Sequence, residues 1–135
     1  MRGHHATLLR AVVLLGLSAT LALAAPPYDF AGPWGGTLTA RKSGATGTIT
    51  ADFTATANLR KFTGTVTLAA EGQTLSCAFT AKYRKNLLLH PRCAGRPASI
   101  VIVHFDPATQ TLTGSFPVGR RHPEIVDFSL QRAPA

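Results

Sequence analysis

Acidic residues are scarce in this chain: six Asp and Glu stand against fourteen Lys and Arg among 135 residues. Asp29, Asp52, Glu71, Asp106, Glu124 and Asp127 are scattered, and none is paired in a way suited to acid–base work. Cysteine is limited to Cys77 and Cys93, and no His stands at a ligand-like spacing from either, so no metal site is expected. His90, His104 and His122 are isolated and read as surface residues. Gly114-Ser115 lacks the surroundings of a nucleophile elbow, and no phosphate-cradling glycine loop occurs. Catalysis is therefore not the expected function, and no cofactor is expected.

Long apolar runs are missing too, except at the start. Arg2 and Arg10 precede the run Ala11 to Leu23, which ends in the small residues Ala22-Leu23-Ala24. That is the pattern of a secretory signal peptide, residues 1–24, cleaved near Ala24. The run is shorter than the roughly 20 apolar residues that span a bilayer. No Cys follows it to carry a lipid anchor. Residues 25–135 are expected to form one soluble domain, exported to the periplasm or the extracellular space.

Export changes the meaning of the cysteines, because an oxidising compartment favours a Cys77–Cys93 bridge over reactive thiols. The net charge of +8 falls to +6 once Arg2 and Arg10 leave with the signal. A basic balance favours anionic partners, here a small ligand, an anionic glycan or a lipid headgroup; no specific nucleic-acid binding is expected. It disfavours basic enzymes as targets, since like charges slow encounter.

What the chain has in quantity is two-residue alternation. Ile49, Ala51, Phe53, Ala55, Ala57 and Leu59 alternate with Thr48, Thr50, Asp52, Thr54, Thr56 and Asn58. Side chains of a strand point alternately to opposite faces, so one face lies on a core and the other in water. Shorter strands with the same alternation are expected around Gly35–Ala40, Phe62–Ala70, Thr74–Arg84, Leu87–Cys93, Ala98–Phe105, Thr111–Val118 and Glu124–Gln131. Glu71-Gly72-Gln73 forms a hairpin loop. If Arg84-Lys85-Asn86 joins its two flanking strands, Tyr83 faces Leu87 and Cys77 faces Cys93. Asn86 would then take the left-handed position of a three-residue loop. Eight strands with short connections pair in sequence order and can close into an antiparallel up-and-down barrel. A two-sheet sandwich is the alternative, but it usually needs a longer crossover.

Phe30-Ala31-Gly32-Pro33-Trp34-Gly35-Gly36-Thr37, followed by this meander, resembles the lipocalin and avidin-like superfamily, whose members open with Gly-x-Trp. The resemblance implies that Trp34 closes one end of the barrel and that the opposite rim is the mouth of a ligand cup. The chain lacks the C-terminal helix common among lipocalins. The biotin-binding residues of the avidin group are not recognisable, so no ligand is carried over.

In such a barrel Arg41, Lys42, Arg96, Arg120, Arg121 and His122 gather on the first rim, where arginine forks could hold an anionic headgroup. The small inward residues Ala51, Ala55, Ala57, Gly64 and Gly114 could leave a cavity. Alternatively Phe53, Phe62, Phe79, Phe105, Phe116 and Phe128 fill the interior, as close-packed cores generally require. Ala78, Leu88, Ile100 and Ile102 point outward, which suggests a homodimer surface. The leading expectation is a non-catalytic binding module for a small apolar or amphipathic ligand with an anionic end. The second is a protein-interaction or inhibitor module with a filled barrel, and the third an enzyme on the same scaffold.

Overall fold

The computed structural model describes residues 28–119 and 121–133; the expected signal segment and Arg120 lie outside the described residues. Most of the alternating runs become strands. The strands are β1 (Gly32–Ala40), β2 (Thr46–Ala55), β3 (Lys61–Ala70), β4 (Gln73–Tyr83), β5 (Leu87–Cys93), β6 (Arg96–Pro97), β7 (Val101–Asp106), β8 (Thr111–Val118) and β9 (Glu124–Arg132). In β2, Ile49, Ala51 and Phe53 are buried while Thr48, Thr50 and Asp52 are exposed.

Each long strand pairs antiparallel with its sequence neighbours, β5 passing to β7, and β1 pairs with β9 to close the ring. The closing ladder runs from Trp34↔Arg132 to Ala40↔Val126. The fold is thus an eight-stave up-and-down barrel, with β6 a two-residue addition on β5. Closure removes every edge that an open sheet would expose. It also requires tight bends. A Cβ built on Gly36 would lie 1.7 Å from the Ser129 carbonyl oxygen, so only glycine lets β1 fold so closely onto β9.

The Cys77–Cys93 bridge lies across directly opposed residues of β4 and β5, with the Cα atoms 4.4 Å apart. Tyr83 faces Leu87 in the same ladder, so turn and disulfide select one register.

Three local expectations are corrected. The second strand ends at Ala55, not Leu59, and Ala57 and Leu59 are exposed rather than inward. The Thr56 hydroxyl donates to the Lys61 carbonyl at 2.9 Å, and the Asn58 side-chain oxygen accepts from the Arg60 N–H at 2.9 Å. These local bonds compete with the ladder and turn the chain early. Asn86 is not left-handed; among the described residues those other than glycine with positive φ are Glu71, Ala94 and Gln110. The loop closes instead by an Arg84 N–H bond to the Asn86 carbonyl at 3.1 Å. Finally, β7 begins at Val101, because Arg96 and Pro97 fold back on β5 through a two-residue turn at Ala94 and Gly95.

The bridge closes a loop with a sequence separation of 16, which stabilises by about 3 kcal/mol in the chain-entropy model. Reduced and alkylated protein is expected to unfold in urea with a stability lower by about that amount. An unchanged midpoint would show that the β4–β5 ladder holds its place without the sulfurs.

Candidate functional site

The barrel has two unlike ends. At the end where β1 starts, the rings of Phe30, Trp34, Phe53, Phe62, Phe79, Tyr83 and Phe105 form one cluster. The Phe30 ring lies 5.0 Å from both Tyr83 and Phe105 and 5.6 Å from Phe62, centroid to centroid. Phe53 and Phe79 lie 4.9 Å apart. These edge-on contacts fill the bore with large, rigid groups.

Trp34 is buried there, and its indole N–H donates to the Phe30 carbonyl at 2.9 Å. The Arg132 guanidinium lies 4.6 Å above its ring and donates to the carbonyls of Ala31 and Asp29 at 3.0 and 2.7 Å. A cation over an indole face is favourable, and the same fork ties the lead-in strap to the end of β9. Phe30 is the residue that sequence reasoning missed. It lies outside every alternating run, and its only signal was an aromatic pair, Tyr28 and Phe30, in an otherwise featureless segment.

At the other end the interior is hollow. A cavity of about 240 Å³ lies toward the end that carries the loops after β1, β3, β5 and β8. Its wall is built of Ile49, Val66, Leu68, Leu89, Val101, Phe116, Phe128 and their neighbours, with Ser99 the one lining side chain that carries a hydroxyl. The aromatic side chains do not fill the interior evenly, as the sequence alone suggested they might. Phe62, Phe79 and Phe105 pack at the Trp34 end, Phe53 packs there and also forms the floor of the cavity, and Phe116 and Phe128 stand on the cavity wall with centroids 5.9 Å apart. Of the small residues expected inward, Ala51 is buried and lines the cavity, and Ala55 and Ala57 are exposed. Gly64 and Gly114 make room for rings: a Cβ on either would lie 2.6 Å from the Phe79 ring or 2.7 Å from the Phe128 ring.

The wall has a seam at the mouth. The β7–β8 ladder stops at Val103↔Gly114, and the β5–β7 ladder stops at Leu89↔Val101. Above those pairs, Ala98 and Ser99 face Phe116, Pro117 and Val118 across the cavity without a ladder between them. Phe128 lines both the cavity and an outer groove bounded by Ile100, Ile102 and Ser115. Leu75 and Val118, about half exposed, complete an apolar lip.

The described rim cations have different surroundings. Arg41 lies along the outer wall, where its Nε and Nη2 donate to both carboxylate oxygens of Asp127 at 2.8 Å. The Arg41 and Ser115 bonds hold the Asp127 carboxyl pKa down to about 2, and the bond and charge of Asp127 raise that of Arg41 above its ordinary value. Glu124 accepts from the Ser43 N–H at 2.6 Å, and that bond, with the nearby Lys42 charge, lowers its pKa. The 41–44 loop is therefore pinned to β9. Arg96 sits in β6, and Arg121 and His122 are exposed in the last loop. Outside the barrel, Leu88 pairs with Ile102, but Ala78 pairs with Arg92 and is separated from Leu88 by the Thr80–His90 pair.

No family model matches the chain, and no curated protein matches it. Among solved structures it is similar to a de novo designed fluorescence-activating β-barrel, with a TM-score of 0.59 and 8% identity over 77% of this chain and 94% of that one. At that identity the likeness concerns the fold.

The lowered Asp127 carboxyl gives a pH test. A group depressed in the folded state contributes stability above the usual carboxylate range and loses it as pH falls toward about 2. Both partners are exposed, so the effect is screened and small. Asp127→Asn is expected to flatten the stability profile below about pH 4, measured by urea unfolding across that range. A profile identical to wild type would show that the pair contributes nothing in solution.

Proposed function

We propose that this protein is an exported, non-catalytic binding module for a small apolar or amphipathic ligand with an anionic group. The observation that carries this reading is the division of the interior. One end is closed by rings, and the other is an open apolar cavity under a rim rich in cations. A cavity of about 240 Å³ lies a little below the usual range for drug-sized ligands and above that of a benzene-sized void. Such a space, lined by aliphatic and aromatic groups, excludes a charge and accepts a tail.

The lipocalin or avidin-like affinity implied by Gly32-Pro33-Trp34 belongs to this reading, and buried Trp34 at the closed end supports it. The likeness to a barrel described as fluorescence-activating supports the barrel on which the binding reading rests, and not the superfamily affinity. Export, with cleavage near Ala24, agrees with the Cys77–Cys93 bridge.

An environment-sensitive apolar dye is expected to bind saturably and to be displaced by aliphatic acids. Leu68→Trp puts an indole into the cavity and is expected to weaken dye binding at least about tenfold, while the partly buried position limits the stability cost to about 1–3 kcal/mol. Dye binding unaffected by Leu68→Trp, or no saturable binding at all, would overturn the reading.

A further inference from the structure

The register of the β5–β6 hairpin distinguishes one rim cation from the rest. Cys93 and Arg96 are direct partners across a two-residue turn in which Ala94 has φ 52° and Gly95 φ 75°. Left-handed values at both central positions make the tight hairpin turn whose twist follows its strands. Directly opposed residues of an antiparallel pair project from the same face. Cys93 lines the cavity, and so does Ala98, two residues beyond Arg96 and on the same side by alternation. Arg96 therefore leaves the backbone on the cavity side of the sheet, at the mouth. Arg92 and Pro97 project from the outer face, and Arg92 braces the turn through a 2.9 Å bond from its Nη2 to the Gly95 carbonyl.

The neighbouring cations are differently placed. Arg41 is held by Asp127 on the outer wall, and Lys42 lies beside Glu124. Arg96 makes no side-chain hydrogen bond or ion pair among the described residues. Arg96 is exposed and does not itself line the cavity. A side chain that starts on the cavity side, beside a lining whose described residues offer one hydroxyl at Ser99, still has its donors available for a ligand at the mouth.

We propose that the ligand is a single-chain carboxylate, its unbranched tail in the cavity and its head paired with the Arg96 guanidinium. This deepens the cavity-binding reading and rests on it. At the roughly 30 Å³ that a water-sized group occupies, the cavity holds about eight such groups, enough for a single short chain but not for a four-ring system or a two-chain lipid. The ring cluster blocks the far end, and an unpaired carboxylate among apolar walls is strongly disfavoured, so the head stays at the mouth. There the planar fork of arginine can grip both oxygens.

Calorimetric titration of the purified protein with decanoate and with 1-decanol tests this. Wild type is expected to prefer decanoate by about tenfold or more, and to lose that preference as ionic strength rises. Arg96→Ala is expected to abolish the preference while leaving 1-decanol binding and the unfolding midpoint unchanged. Arg96→Lys, which keeps the charge but not the fork, retains part of it, and Arg121→Ala retains all of it. Equal binding of the two ligands to wild type, or a preference that survives Arg96→Ala, overturns the Arg96 assignment and leaves the cavity reading standing. The assignment also falls if salt leaves the wild-type preference intact. Failure of both ligands to bind wild type overturns the assignment and the cavity reading together.

Discussion

Closure of eight staves fixes the bore of this barrel, and the rest of the structure follows from how side-chain volume is spread along it. A ring of that size has an interior that side chains can just fill, or that holds one small ligand. Here seven of the large rings, Phe30, Trp34, Phe53, Phe62, Phe79, Tyr83 and Phe105, cluster at one end. The other half is lined mainly by aliphatic residues of middle size, with Phe116, Phe128 and the Cys77–Cys93 bridge, and the same bore is left partly empty. The closing ladder between β1 and β9 holds the diameter, and Gly36 allows that ladder to form.

The polar groups obey the same division of inside and outside. No polar or charged residue is buried among the described residues, so no charge is spent on the interior. Acids on β9 instead fasten the loop after β1: Asp127 takes Arg41, and Glu124 takes the Ser43 amide. These bonds fix one side of the mouth. The opposite side is built differently, from a short hairpin and a length of β8 that pairs only with β9. The mouth thus has one pinned side and one seamed side.

Much of the frame was legible in the residue order. Alternation in Ile49, Ala51 and Phe53 fixed which face was inward, and the spacing from Tyr83 to Leu87 aligned the two sulfurs without any knowledge of the whole. The errors came where local hydrogen bonds outcompeted periodicity. Thr56 and Asn58 continue the polar half of the pattern, yet their side chains bond the backbone and end the strand, leaving Leu59 in water. The hairpin at Ala94 was invisible because alanine rarely takes a left-handed φ. Phe30 was missed because it plugs the barrel from a strap, outside any repeating pattern. The hollow itself depends on how far each ring reaches along the axis, which composition cannot state. The signal segment and the joint role of the rim cations remain expectations from the sequence, since one lies outside the described residues and the other concerns a partner.

The most direct measurement of an unevenly filled bore is a small apolar probe followed residue by residue. Benzene titrated into isotopically labelled protein is expected to shift the side-chain resonances of Leu68, Leu89, Val101 and Phe128 saturably, and to leave those of Phe62 and Phe79 in place. Shifts confined to the exposed Ile100 and Ile102, or no saturable shift inside the barrel, would contradict it.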